Sequence, residues 1–202
     1  MDFNYVRFTE EWAMLYKPMR HIPGPDSLNK RFYICDSYFT MTEFLKGSVD
    51  PEVSPCVMVE SQQEGNVEEG RDYPRYSFYF LVRAEDTHNG HMAYDSKSDA
   101  KKIMMDFVNF IRAFKSPYEY TTPAGTPLVS TLPFSEGSYL DSLRKDILNG
   151  FNCMMNINIE NFTYESLNEL YDGWYGVQMT LDDIQIYDMC LDEAMYEAAV
   201  EP

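Results

Sequence analysis

The sequence predicts an α+β fold: a mostly antiparallel sheet covered by helices, with a long hairpin loop and an extended arm. Three stretches carry that prediction. Residues 100–114 place Ala100, Ile103, Met104, Phe107, Val108, Ile111 and Phe114 at helical spacing on one apolar stripe. Residues 76–82 are nearly all apolar, which suits a strand buried on both faces. Residues 155–187 hold two runs of period-2 alternation, Met155/Ile157/Ile159 and Tyr175/Val177/Met179/Leu181, on either side of a connector that ends in Gly173-Trp174-Tyr175-Gly176-Val177. The 202 residues suit one domain.

Taken in order, residues 3–20 read as a helix, with Phe8, Trp12, Leu15, Tyr16 and Met19 on one stripe. Glu10 and Glu11 stand near its start and Arg20 near its end, as the helix dipole favours, and Pro18 kinks or ends it. Residues 30–35 form a short strand. Asp36 or Ser37 caps a short helix that stops near Lys46-Gly47. Residues 55–61 form the next strand. Residues 62–74 form a protruding acidic hairpin loop with Glu64, Glu68 and Glu69 between glycines, longer than a hairpin needs.

After the strand at 75–85, Asp95 or Ser96 caps the long helix, and Ser116-Pro117 stops it. Residues 117–137 contain four prolines and read as an extended arm. They are too apolar, at Leu128, Val129, Leu132 and Phe134, to be a solvated linker, so they pack on a neighbour or on the domain itself. Residues 139–149 form a short helix. In the last strand the apolar parity switches from odd to even at Asp182-Asp183, as a bulge or a strand end would cause. A final helix spans about 189–200.

The formal net charge is −17 and the aromatic content is 15%, with 16 Tyr and 13 Phe. Such a balance disfavours nonspecific binding to nucleic acid or to an anionic membrane, though DNA can slide past an acidic wall. Tyrosine, with an apolar ring and a polar tip, suits surfaces that are covered on assembly. The four cysteines form no C-x-x-C pair and sit among apolar residues, so they read as buried free thiols. No signal peptide or membrane-spanning run is visible, and a soluble protein made in a cytoplasm is expected.

No catalytic motif appears. Asp86, His88 and His91 lie in a loop with weak metal spacing and no fourth ligand, and His21 reads as a surface or loop residue. There is no nucleophile elbow and no phosphate-binding glycine loop. No cofactor, metal or catalytic residue is therefore expected. Lys97, Lys101 and Lys102 read as a solvated helix face, or as a face that meets acidic loops of neighbouring copies.

The order of elements, together with Pro55-Cys56-Val57-Met58-Val59-Glu60, Gly-Trp-Tyr-Gly-Val at 173–177 and the closing aspartates, resembles neck and tail-completion ring proteins of tailed bacteriophages. Those of phages of gut Bacteroides, the crAss-like group included, are the nearest likeness. The resemblance spans roughly residues 3–190 and rests on a pattern of elements, not on a fingerprint of site residues. It implies a non-enzymatic virion protein, assembled in the bacterial host cytoplasm. Such a subunit oligomerises into a ring at the head-to-tail connection and contacts portal, neck or tail proteins. DNA is only passive channel content, and no membrane is involved. The implied subunit contacts are the hairpin and the arm, where Glu68, Arg71, Tyr73, Arg75, Tyr118, Tyr120, Leu128 and Phe134 are the candidate interface residues. A different class, a small acidic binding or inhibitor module for a basic protein partner, fits the same composition.

Overall fold

The computed structural model describes residues 3–24, 27–47, 53–61, 64–68, 71–85, 89–155, 157–182 and 185–186. The fold is α+β, built on a mixed, mostly antiparallel sheet. Its strands are β1 (Phe32–Cys35), β2 (Cys56–Glu60), β3 (Glu64–Glu68), β4 (Arg71–Arg83), β5 (Thr163–Leu167), β6 (Trp174–Asp182) and β7 (Gln185–Ile186). The main path runs β1-β2-β4-β6-β5, and β3 and β7 add to β4 beyond it. Only β1 and β2 run parallel, joined across α2 (Tyr38–Gly47).

One face of the sheet carries Phe32, Val57, Val59, Tyr76, Phe78, Phe80, Val177, Met179 and Leu181. It is covered by α1 (Tyr5–Leu15), α3 (Gly90–Lys115) and α5 (Tyr139–Leu148). Phe107 of α3 lies at the centre of that layer, its ring within 4.8–6.1 Å of those of Trp12, Phe78, Phe80 and Phe8. The opposite face carries Tyr33, Cys35, Cys56, Met58, Tyr79, Leu81 and Trp174, against Met41 and Leu45 of α2. Because β4 buries residues of both parities, it has to be apolar throughout its middle.

β4 is the spine. On one edge it pairs with β2 from Phe78 to Leu81 and with β3 from Arg71 to Arg75. Between Val59↔Phe78 and Glu64↔Arg75, five steps of chain oppose three on β4, so two extra residues interrupt this edge. Ser61 begins the interruption, its N–H donating to the Cys35 carbonyl at 2.7 Å. On the other edge β6 runs without a break from Arg75↔Asp182 to Arg83↔Trp174, and β7 resumes at Asp72↔Gln185 in the same register. Of the bulge or strand end expected at Asp182-Asp183, the strand end is found: β6 stops at Asp182, and the register with β4 carries no insertion. Gly176 fits beneath β4 only because it has no side chain. A Cβ there would lie 2.6 Å from both the Phe80 carbonyl oxygen and Leu81 Cδ2.

Several expected boundaries move. α1 is capped by Asn4, whose side chain accepts from the Arg7 N–H at 3.0 Å, and it ends at Leu15 rather than near Arg20. Pro18 disfavours helix at the residue before it, and Tyr16 is already extended. α3 starts five residues before Asp95, because the Asn89 side chain accepts from the His91 N–H at 3.0 Å. Ser96 is buried within the helix. The alternation at Met155, Ile157 and Ile159 is not a strand. Ile157 and Ile159 are buried and Met155 is exposed, but the backbone turns there into a 3-10 segment, Ile159–Asn161. The strand that pairs with β6 is instead β5, where four of five residues are exposed and no alternation marks it. The expected helix at 189–200 and the pair Asp86 and His88 lie outside the described residues.

Candidate interaction surface

The acidic segment 62–74 is a paired hairpin in the part that is described. Glu68 lies opposite Arg71, Asn66 opposite Tyr73 and Glu64 opposite Arg75. Residues 62, 63, 69 and 70 lie outside the described residues. Arg75 is held at the base of the hairpin, its Nε 3.0 Å from Asp182 Oδ1 in an exposed ion pair. The Asp182 carbonyl in turn accepts from the Asn158 N–H at 3.0 Å, and Lys115 Nζ donates to the neighbouring Ile157 carbonyl at 2.7 Å. Lys115 ends α3, where the 117–137 segment begins. The hairpin and that segment therefore emerge at the same end of the sheet.

The 117–137 segment lies against the domain and is not extended. Thr121 bridges Pro127, α4 (Leu128–Thr131) follows, and Val129 is fully buried. Phe134 packs between the Phe114 ring at 5.7 Å and the Arg144 guanidinium at 5.2 Å. Tyr120 is half-buried against the same core, and its carbonyl accepts from the Leu128 N–H at 2.9 Å. Of the four arm residues expected at an interface, Phe134 and Tyr120 are thus largely used by the domain itself. Leu128 is partly exposed, and Tyr118 is 71% exposed.

The lysine face of α3 is also partly engaged. Lys97 Nζ donates to Asn168 Oδ1 at 2.9 Å and lies over the Tyr175 ring, and Lys101 Nζ donates to the Tyr164 hydroxyl at 2.9 Å. These contacts tie α3 to the β5 side of the sheet; Lys102 remains exposed.

Little chemistry is poised elsewhere among the described residues. No cluster of His, Cys, Asp and Glu could hold a metal there, and no described helix is long and apolar enough to cross a membrane. Burial pushes the Cys35 and Cys56 thiols up to about 12, so neither offers a thiolate at neutral pH. Burial, then hydrogen bonding to Glu60, raises the Tyr79 hydroxyl well above its ordinary value. His21 lies in a loop, as one of the two expectations had it, but it is buried and not at the surface. Its Nδ1 accepts from the Arg31 N–H at 3.0 Å, and burial lowers its pKa.

The structure adds one feature that the sequence did not mark. A trough of about 460 Å³ runs along the outer edge of β1, lined by Lys30, Phe32, Tyr33 and Ile34 and flanked by His21 and Phe44. The strand itself was legible; its place at the edge was not, because edge position depends on the order of the whole sheet.

No protein-family model and no curated protein matches the chain.

Proposed function

We propose that the chain is a structural virion protein, a ring-forming subunit of the neck or tail of a tailed phage, without enzymatic activity. The observation that supports this reading most is the shared placement of the hairpin and the 117–137 segment at one end of a firmly packed sheet. Rings need a surface on each subunit that reaches its neighbour, and a hairpin templated on β4 supplies reach without a flexible linker. In this reading Tyr118 and the hairpin meet the next copy. The acidic balance lets DNA pass without adhering.

The test is to purify particles from a host that carries the gene, identify the chain by mass spectrometry, and image purified protein by negative stain. Closed rings, or the chain in stoichiometric amount in particles, is the expected result. A chain absent from particles that stays monomeric and captures a basic protein would replace this reading with the acidic binding module.

A further inference from the structure

β1 and β5 are the two outer strands of the main sheet path, and they are treated differently. β5 reads Thr-Tyr-Glu-Ser-Leu, with Thr163, Tyr164, Glu165 and Ser166 all exposed and Lys101 bonded to the Tyr164 hydroxyl. Polar and charged residues of this kind keep other strands from adding to an edge. β1 reads Phe-Tyr-Ile-Cys, with no charge or proline within it, and its Ile34 is 52% exposed.

The backbone of β1 shows which groups are open. Val57 N–H donates to the Arg31 carbonyl and Ser61 N–H to the Cys35 carbonyl, so the odd-numbered residues of β1 turn their polar groups toward β2. In a parallel ladder the intervening residues turn theirs the other way. The N–H and C=O groups of Phe32 and Ile34 thus face outward, and among the described residues no strand pairs with them. Their edge is the floor of the trough, and Ile22, next to the flanking His21 and Pro23, is 56% exposed.

The ends of this edge are of opposite charge: Lys30 precedes the strand and Asp36 follows it. We propose that β1 pairs antiparallel with β1 of a second copy, making one continuous sheet across a two-fold axis at Tyr33. Pairing through the outward groups sets Phe32 opposite Ile34 of the second copy and Lys30 opposite Asp36, each twice. This self-complementarity points to a second copy over an unrelated strand: one edge supplies both the apolar centre and both charge pairs. The interface is isologous, and it stands whether or not the chain is a virion protein.

Sedimentation equilibrium over a range of loading concentrations tests it. Wild type is expected to self-associate reversibly with the two-fold dimer as its first step, whether or not dimers go on to form rings. Ile34→Lys, on a side chain half in solvent, is expected to leave a folded monomer. Lys30→Asp or Asp36→Lys alone places like charges opposite each other twice and weakens dimerisation about 10-fold, whereas the double variant Lys30→Asp/Asp36→Lys recovers wild-type affinity to within about 3-fold. Asp36 also accepts from the Ser61 hydroxyl at 2.8 Å, so thermal unfolding is run on each variant, and Ile34→Lys decides the matter if the Asp36 variants do not fold. A wild-type chain that stays monomeric at every loading overturns the proposal. So does a dimer indifferent to Ile34→Lys, or single charge variants that the double does not rescue.

Discussion

Glu11 of α1 accepts the Tyr139 N–H, the first amide of α5, at 2.7 Å, and its second carboxylate oxygen takes the next amide, that of Leu140, at 2.8 Å. A side chain 128 residues away in sequence thus helps cap α5, beside the local cap from Ser138. Charge also favours the arrangement, since a carboxylate sits at the positive end of the helix. Glu11→Ala is expected to cost about 1–2 kcal/mol, read as a lower urea midpoint at unchanged slope, and Glu11→Gln less because it keeps one acceptor oxygen.

His21 makes stability depend on pH with a defined sign. Burial lowers its pKa in the folded chain, and Lys30 lowers it further, against a backbone hydrogen bond that raises it. Protonating Nδ1 would also set its proton against the Arg31 N–H. Glu10, 3.8 Å from Nε2, is the one acidic group that faces it among the described residues. Below the ordinary histidine pKa of about 6.5 the unfolded chain takes up a proton that the folded chain resists. The contribution of His21 is complete above that pH and shrinks as pH falls through it. Urea midpoints measured between about pH 8 and pH 5.5 should decline, and His21→Gln should flatten that part of the decline.

Gly176→Ala tests the close approach of β6 to β4. Leu81 can shift its Cδ2, but the Phe80 carbonyl at 2.6 Å is backbone and cannot move without breaking the ladder. The expected cost is about 1–3 kcal/mol, and Leu81→Ala added in the same chain should not relieve it. Circular dichroism on thermal unfolding of the single and double variants reads this directly.

Tyr118 and Phe134 separate assembly from folding. Phe134→Ala removes a ring packed on Phe114 and is expected to lower stability by about 2–4 kcal/mol. Tyr118→Ala removes an exposed ring and should change stability by no more than about 0.5 kcal/mol. If the ring reading holds, Tyr118→Ala alone reduces incorporation into particles or rings, with an unchanged unfolding curve.

How far the sequence disclosed this fold depended on where burial made a pattern. The stripe of α3 and the apolar run of β4 were legible because both are defined by what they bury. β5 was not, since an exposed edge strand has no apolar alternation to show. The run at Met155, Ile157 and Ile159 was misleading for the opposite reason: Ile157 and Ile159 are buried, but the backbone that carries them turns. The start of α3 was missed because Asn89-Gly90 serves equally as a turn and as a cap followed by a first helical residue. For the candidate surface, the hairpin and the arm were found as segments. That Phe134 and Tyr120 would turn inward could not be read from composition, because an apolar segment packs on its own domain or on a neighbour by the same physics.

The unbroken length of β4 has a mechanical consequence. The strand that forms the outer hairpin is the same one that crosses the core, and its register with β6 is constant from Arg75 to Arg83. A pull on Arg71 along the strand axis loads those hydrogen bonds together, in shear, instead of opening them one after another. The two-residue interruption is on the opposite edge, between β2 and β3, so along that edge the pairing of β4 is divided and the load does not pass through one continuous ladder.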